Sequence, residues 1–216
     1  MSRFVHSPLD ETVRARSLAK YRKRAARYDR TCGPTWPIRE RTIALLDLQP
    51  GQAVLDVGCG TGLSLARLRE RVGDEGCVYA FDQSPDMLRQ ARDRVATAGW
   101  RNVHLYETPA QGLILPAPVD ALLFHYTHDV LRSPSAVERL LACARPGAAV
   151  AIAGIKYFPF WLAPLNIWVY YKNHGYNGAP GELRSPWDRI APRLDSWHLT
   201  PTQYGMGYIA SGRVRA

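Results

Sequence analysis

The stretch that decides the fold reads Val54-Leu55-Asp56-Val57-Gly58-Cys59-Gly60-Thr61-Gly62-Leu63. A short apolar run ends near an acid, three glycines follow at alternate positions, and a helical pattern begins at once. Glycine is needed in such a bend because a Cβ would keep the backbone from touching a ligand at the end of the strand. The amide groups and positive dipole end of the new helix point to the same place. The stretch therefore predicts a ligand-binding bend at the carboxyl end of a parallel sheet.

On both sides of this bend, short apolar runs alternate with helical patterns. Strands are predicted at 53–57, 77–81, 103–106, 119–124 and 148–155, and helices at 37–48, 63–72, 85–98 and 133–144. Because the strands are apolar throughout, we expect parallel strands with helices on both faces. Pro146-Gly147 is expected to form the turn before the last of these strands. Two later strands, 197–204 and 208–214, have so short a connector that they must be antiparallel.

Composition and charge narrow the class of protein. The 216 residues are 46% hydrophobic and 22% charged, which fits one folded domain and argues against disorder. The most apolar run, 157–171, is broken by prolines and too short for a bilayer, and the first residues lack a signal-peptide pattern. Of the net charge of +9, residues 1–41 carry +7. The four cysteines lack metal-ligand spacing, so we expect reduced thiols, no metal site and a cytoplasmic location.

An acid also ends the second predicted strand, at Asp82. A carboxylate there can accept hydrogen bonds from both hydroxyls of a ribose. The dinucleotide fingerprint is G-x-G-x-x-G, whereas this loop is G-x-G-x-G and follows Asp56. Because Asp56 would repel a pyrophosphate, the pattern favours a positively charged nucleoside over NAD.

Three segments carry a family resemblance: VLDVGCGTG at 54–62, FDQSPDML at 81–88 and ARPGAAVAIAG at 144–154. Together they resemble the class I S-adenosylmethionine-dependent methyltransferases, from about residue 37 to the end of the chain. The resemblance implies a three-layer, Rossmann-like α/β fold with a mostly parallel seven-stranded sheet and an antiparallel last strand. It also implies S-adenosylmethionine as donor, or as the substrate itself.

The resemblance carries cofactor roles to particular residues. Asp56 and the backbone of the glycines would hold the methionine part, Asp82 the ribose, and neighbouring side chains the adenine. In many relatives an acid after the third strand meets the adenine amino group, but Pro109 stands there, so Ala110 or Gln111 would take that contact. The full candidate set for the cofactor is Asp56, Gly58, Gly60, Gly62, Asp82, Gln83, Met87, Ala110, Gln111 and His125.

The acceptor side is expected after the fourth strand, at residues 124–129. Tyr126 and His128 are the candidate catalytic residues, with His128 placed to act as a base near neutral pH. The structural alternative is that the histidines only pack or cap the chain there. An acceptor of low pKa would need no base at all.

Two flanking segments are expected to close the pocket. Residues 1–48 are interpreted as a helical cap with a basic amphipathic helix, and 49–216 as the α/β domain. Within the latter, 157–181 is an aromatic-rich substrate segment. The candidate pocket residues are Tyr21, Tyr28, Asn166, Tyr171 and Tyr176.

Three functions stay open at this point. The first is methyl transfer to a small-molecule acceptor. The second is a cyclase in which the amine of S-adenosylmethionine attacks its own γ-carbon, giving azetidine-2-carboxylate and methylthioadenosine. The third uses the basic N-terminal helix for peripheral contact with an anionic membrane, in a lipid methyltransferase, or for a nucleic acid. Nucleic acid is the less favoured partner because the asparagine/aspartate-Pro-Pro-aromatic signature is absent from the sequence.

Overall fold

A computed structural model describes residues 33–158, 162, 165–167 and 183–215. Over this part of the chain the strands are β1 (Ala53–Val57), β2 (Cys77–Asp82), β3 (Val103–Glu107), β4 (Val119–His125), β5 (Ala144–Ile155), β6 (Leu194–Thr202) and β7 (Gly207–Val214). The helices are α1 (Trp36–Ala44), α2 (Leu65–Val72), α3 (Pro85–Ala98), α4 (His128–Arg132) and α5 (Pro134–Ala142).

Within the described residues the strands form one seven-stranded sheet in the order β3-β2-β1-β4-β5-β7-β6. The strands from β3 to β5 in this order are parallel, and β7 is antiparallel to both of its neighbours. This topology confirms the α/β fold that the sequence predicted, including the late antiparallel hairpin. The order reverses between β1 and β4, which is the switch point where open α/β sheets bind ligands.

Alternate residues of each central strand enter two separate cores. Val54 and Leu123 pack with Ile43, Leu68 and Leu88, which belong to α1, α2 and α3. Leu55, Phe124 and Ile152 pack on the other face, with α4 and α5. The sheet is thus covered on both sides, as strands without polar alternation require. Together the two cores make the three-layer sandwich.

Several element boundaries differ from the predicted ones for local reasons. Helix α1 ends at Ala44 rather than 48, because Asp47 adopts a positive φ of 48° and turns the chain. Pro146-Gly147 does not precede a strand; it forms a bulge inside β5, opposite the register shift between Val119 and Ala121. Helix α4 was not predicted.

Asp120, at the start of β4, holds the far end of the sheet together. Its Oδ2 accepts a hydrogen bond from the Ala53 amide at 2.8 Å, and its Oδ1 pairs with Arg145. An acid at the start of a strand can simply be solvated at the end of the sheet. The structure instead shows it fixing the entry of β1 beside β4 and β5.

None of the helices in the described part of the chain has the length and apolar character needed to span a bilayer.

Candidate cofactor and acceptor site

The glycine loop after β1 has the backbone that its sequence predicts. Gly58 and Gly60 adopt φ values of +61° and +57°, which favour glycine. A Cβ on Gly58 would lie 2.8 Å from Cγ2 of Thr127, so glycine lets the loop after β4 approach closely. A Cβ on Gly60 would meet nothing within 4 Å in the described structure. That open side of the loop is where a ligand would contact the backbone.

Asp82 links this loop to the end of β2. Its Oδ2 accepts from the Gly60 amide at 2.9 Å and its Oδ1 from the Ser84 amide at 2.8 Å. Burial nevertheless raises the pKa of Asp82 from 3.8 to about 6, against the effect of these amide donors. The carboxylate is therefore positioned by backbone and only weakly solvated, and its remaining lone pairs are free for ribose hydroxyls.

Asp56, the next-to-last residue of β1, is a buried acid with an unsatisfied oxygen. Its side chain is 2% exposed, and Oδ2 has no hydrogen-bond partner among the described residues. Burial raises the pKa of Asp56 to about 7; nearby Arg39 lowers it, and Asp82 raises it further. A cation bound beside this oxygen would stabilise the ionised carboxylate, which burial disfavours. The glycine loop and Asp56 thus fit a ligand with a positive group.

His125, at the end of β4, is a second buried polar group without a partner. Its Nε2 makes no hydrogen bond within the described chain. Burial, and secondarily the charge of Arg39, lowers the pKa of His125 well below its usual value. The imidazole is therefore neutral at pH 7. It lies on the same face of the sheet as Asp56, because Asp56 pairs with Leu123 and His125 is two residues further along β4. Its predicted role toward the cofactor stays a prediction with a supporting geometry.

Tyr126 follows His125 in a strained backbone conformation, with φ of 60°. Its amide donates to the Ala153 carbonyl at 2.8 Å, and its ring meets the His125 ring edge-on at 4.8 Å between centroids. Non-glycine residues at positive φ are uncommon and cluster at functional sites. The predicted catalytic role of Tyr126 stays a prediction.

The surroundings of His128 depart from the expectation that it is a base. Its Nε2 accepts a hydrogen bond from the Ile155 amide at 2.9 Å, so this nitrogen is occupied by backbone. Burial also lowers the pKa of His128. Both features favour the structural alternative, in which a neutral His128 ties the start of α4 to the end of β5.

The residues predicted for adenine lie along the ends of β2 and β3. Gln83 is half-buried, while Met87, in the first turn of α3, and Ala110, in a short turn after β3, are buried. Nε2 of Gln111 donates to Ser133 Oγ at 3.1 Å, which uses one of the two N–H donors of its amide. The adenine contact at Ala110 or Gln111 stays a prediction.

Most of the predicted pocket residues lie outside the described residues: Tyr21, Tyr28, Tyr171 and Tyr176. The described one, Asn166, departs from the expectation that it faces a pocket. Its Oδ1 accepts from the Phe158 amide at 2.8 Å, and its Nδ2 donates to the Phe158 carbonyl at 3.0 Å. Both polar atoms of the Asn166 side chain thus bond to the backbone of Phe158, and they fix the position of the segment that follows β5.

Two residues at the site were missed by sequence reasoning. Arg39 on α1 is buried and donates to Ser64 Oγ. In the sequence it was counted with the basic N-terminal segment, yet it lies four residues before buried Ile43, on the same face of α1. Tyr208 on β7 is fully buried, and its hydroxyl lacks a hydrogen-bond partner among the described residues. Nothing in the local pattern of β7 distinguished it from core.

Comparison with known proteins agrees with this site. Residues 54–147 match the family described as "Methyltransferase domain". The chain is 34% identical over 104 residues to aklanonic acid methyltransferase DauC of Streptomyces sp. (strain C5), which covers 48% of this chain and 47% of that protein. The chain thus spans about half the length of the curated relatives it matches.

Solved structures share the fold. A methyltransferase described as S-adenosylmethionine-dependent, from Aquifex aeolicus, superposes with a TM-score of 0.61 at 21% identity, covering 88% of this chain and 98% of that one. The [4+2]-cyclase SpnF superposes with a TM-score of 0.61 at 16% identity, covering 83% and 80%.

Sheet order and the solved structures show that the described part of the chain has the fold of the S-adenosylmethionine-dependent methyltransferases, and residues 54–147 match a methyltransferase domain. These similarities support S-adenosylmethionine as the cofactor. The chain's own residues fit that molecule: a glycine backbone open on one side, a backbone-held acid at the end of β2, and a buried acid with a free oxygen at the end of β1.

Proposed function

We propose that this protein transfers the methyl group of S-adenosylmethionine to a small-molecule acceptor. The proposal rests on Oδ2 of Asp56, which is buried beside the open face of the glycine loop and has no hydrogen-bond partner among the described residues. An isolated buried carboxylate is costly unless it meets a positive or hydrogen-bonding group. A zwitterionic amino acid attached to a sulfonium offers both.

Each strand end would make a separate contact with the cofactor. Asp56 would bind the ammonium of the amino-acid part, and the amide-held Asp82 would accept from the ribose hydroxyls. Gln83, Met87 and the backbone at Ala110 would flank the adenine. Bound in this way, S-adenosylmethionine supplies a methyl carbon that a nucleophile attacks while the electrons of the carbon–sulfur bond pass to sulfur.

Support for a small acceptor comes from the segment that follows β5 and from the name of one relative. The chain leaves β5 through Tyr157 and Phe158, which enter the aromatic-rich segment 157–181 at the same edge of the sheet as the glycine loop. The name of DauC states a small acceptor, aklanonic acid, for that relative. We expect aromatic side chains of this segment to select the acceptor; those after Phe158 lie outside the described residues.

The described residues favour positioning over acid–base chemistry. His125, the last residue of β4, and His128, just after it, are buried, and their pKa values are lowered. Nε2 of His128 also accepts a hydrogen bond from the Ile155 amide. We therefore propose that the acceptor is a nitrogen or an acidic oxygen that is nucleophilic near neutral pH. Its proton would leave to solvent, and catalysis would come from alignment and exclusion of water.

The test is to incubate the purified protein with S-adenosylmethionine, with and without a low-molecular-weight extract of cells, and to identify all products by mass spectrometry. The proposal predicts S-adenosylhomocysteine that depends on the extract, together with a metabolite heavier by one methyl group. The Asp82→Asn variant should lose both products, whereas a variant at exposed Asp93 on α3 should keep them.

Three outcomes would contradict the proposal. Methylthioadenosine and azetidine-2-carboxylate formed from S-adenosylmethionine alone would establish the cyclase reaction instead. Equal S-adenosylhomocysteine from wild type and Asp82→Asn would show that the activity does not come from this site. The incubation is also repeated with lipid vesicles or RNA in place of the extract. A methylated lipid or RNA would contradict a small-molecule acceptor and would favour a function in which the basic N-terminal segment binds a membrane or a nucleic acid.

A further inference from the structure

The turn between β6 and β7 holds two buried oxygens for which the described residues supply no hydrogen-bond partner. They are Oγ1 of Thr202, the last residue of β6, and Oε1 of Gln203, the first residue of the turn. A Cβ built on Gly207, where β7 begins, would clash with Oγ1 and would lie 2.6 Å from Oε1. The two oxygens therefore converge on one point beside the backbone of Gly207, and only glycine leaves them room there.

Such a pair of oxygens is costly for the folded chain on its own. A hydroxyl or amide oxygen that leaves water without finding a partner loses its hydration and gains no hydrogen bond in return. Most buried polar atoms of folded proteins are hydrogen-bonded, so each exception needs a reason. A small-molecule site uses a few fixed polar groups of this kind to orient and select its ligand.

The backbone of this turn is strained and is fixed to the neighbouring strand. Gln203 and Tyr204 adopt φ values of 49° and 56°. Non-glycine residues at positive φ are uncommon, and they concentrate at functional sites. The amide of Lys156 donates to the Met206 carbonyl at 2.6 Å, which ties the turn to the chain that leaves β5. The two oxygens are therefore held in place by backbone on both sides.

Strand register places the turn at the same edge of the sheet as the glycine loop. Gly207 pairs with Ile155, the last residue of β5, so the turn lies at the carboxyl end of that strand. Ala153, two residues before Ile155, pairs with His125, and side chains two residues apart share a face. Gly207 therefore lies on the face of the sheet that carries His125 and Asp56.

We propose that Thr202 and Gln203 bind a hydroxyl or N–H group of the methyl acceptor and select acceptors that carry one. The inference rests on the proposed function and names a chemical feature of its substrate. The carbonyl oxygen of an amide only accepts hydrogen bonds, whereas a hydroxyl both donates and accepts them. Oε1 of Gln203 therefore requires a donor on the ligand, and Oγ1 of Thr202 binds a donor or an acceptor next to it.

A purely structural role makes a different prediction for the stability of the protein without acceptor. Thr202→Val replaces the hydroxyl with a methyl group and keeps the branched shape. If the hydroxyl serves only a ligand, this variant should unfold roughly 2–4 °C above wild type, because a buried polar atom without a partner is removed. Thr200→Val makes the same change at an exposed position on the same face of β6 and should leave the unfolding temperature unchanged.

The acceptor test uses the low-molecular-weight cell extract as substrate, diluted in steps at a saturating concentration of S-adenosylmethionine. The rate of formation of the methylated metabolite at each dilution gives the amount of extract that half-saturates the enzyme. We expect Thr202→Val and Gln203→Met to need at least roughly tenfold more extract than wild type, because the oxygens that meet the acceptor are gone. The calorimetric affinity of both variants for S-adenosylmethionine should equal that of wild type.

A conservative variant separates the hydroxyl from the shape of the side chain. Thr202→Ser keeps the hydroxyl and loses the methyl group, so its half-saturating amount of extract should stay close to that of wild type. Thr200→Val should also match wild type. If Thr202→Ser needs as much extract as Thr202→Val does, the hydroxyl is not the group that meets the acceptor, and the inference is wrong.

Three further results would overturn the inference. Equal half-saturation of wild type, Thr202→Val and Gln203→Met would show that the acceptor does not meet these oxygens, while leaving the proposed function intact. A lower unfolding temperature of Thr202→Val, with Thr200→Val unchanged, would assign the hydroxyl a structural role. Absence of any extract-dependent methylated product from wild type would overturn the proposed function as well.

Discussion

The backbone amide of Gly60 donates a hydrogen bond to Oδ2 of Asp82, with 2.9 Å between the two atoms. The loop after β1 and the end of β2 are therefore joined by the carboxylate that we propose binds the ribose. This hydrogen bond fixes the position of the loop relative to Asp82. A preorganised acid loses little freedom on binding, which makes its contribution to affinity larger.

Replacing Asp82 should reduce the affinity for the cofactor more than it reduces the stability of the fold. We expect Asp82→Asn to reduce the affinity for S-adenosylmethionine by roughly tenfold to a hundredfold, because charge-assisted hydrogen bonds are lost. Asp93→Asn, on an exposed part of α3, should leave the affinity unchanged. Calorimetry gives both values, and equal affinities in the two variants would refute the ribose contact.

Cofactor affinity should rise with pH between 6 and 8. The pKa of Asp56 is raised to about 7 and that of Asp82 to about 6, mainly by burial, and the cationic ligand needs both acids ionised. Lowering the pH from 8 to 6 should weaken binding by roughly tenfold or more. Titrations across this range measure the slope, and Asp56→Asn should flatten it. A profile of wild type that is flat over these two units would contradict the role of the acids.

The same acid should reduce stability in the ligand-free protein at high pH. The pKa of Asp56 rises from 3.8 to about 7 on folding, so the native state binds more protons between these values. The favourable contribution of Asp56 to the free energy of unfolding is complete below about pH 4 and is lost as the pH rises through about 7. Asp56→Asn should therefore raise the free energy of unfolding at pH 8 by about 2 kcal/mol, while it weakens the binding of the cofactor.

Urea denaturation of wild type and Asp56→Asn at pH 5 and pH 8 measures this effect. The gain at pH 8 should exceed the gain at pH 5, where the wild-type acid is largely protonated in the native state. A variant that is less stable than wild type at both values would show that ionised Asp56 stabilises the free protein.

Gly58→Ala should destabilise the protein through two separable effects. The new Cβ would lie 2.8 Å from Cγ2 of Thr127, and the residue would have to keep a φ of +61°. We expect a loss of about 2–3 kcal/mol, of which roughly 1 kcal/mol is backbone strain. Gly99→Ala, at φ +66° with open space around it, should show the strain alone.

A second substitution separates the packing part of this loss. Thr127→Ser removes the methyl group that the new Cβ would meet. The double variant Gly58→Ala, Thr127→Ser should therefore recover part of the stability lost by Gly58→Ala, as a double-mutant cycle in thermal unfolding would show. Strict additivity of the two changes would mean that the loops after β1 and β4 do not pack as described.

Periodicity and turn residues were enough to predict the sheet and most of its boundaries. Ala53–Val57 and Pro85–Ala98 were predicted to the residue, the latter because Ser84 and Pro85 mark a helix start that a local pattern records. The Pro146-Gly147 bulge was not predictable, because a bulge depends on the partner strand. A proline and glycine pair has the same local signature in a turn and in a bulge.

The cofactor side of the site was easier to predict than the acceptor side. Asp56 and Asp82 each end a strand next to the glycine loop, so chain order alone brings them together. Arg39 escaped prediction because its burial depends on the packing of α1 over the sheet, which no spacing near the loop records. Nothing in the sequence shows that the Ile155 amide donates to Nε2 of His128, so the role of His128 as a base stays a prediction.

A crystal structure of the protein grown with S-adenosylhomocysteine or S-adenosylmethionine would test the proposed cofactor site directly. We expect the nucleoside to lie beside residues 58–62, with its ribose hydroxyls within about 3.2 Å of the Asp82 carboxylate and the ammonium of the ligand at Asp56. A ligand bound at another edge of the sheet, or a ribose turned away from Asp82, would contradict it.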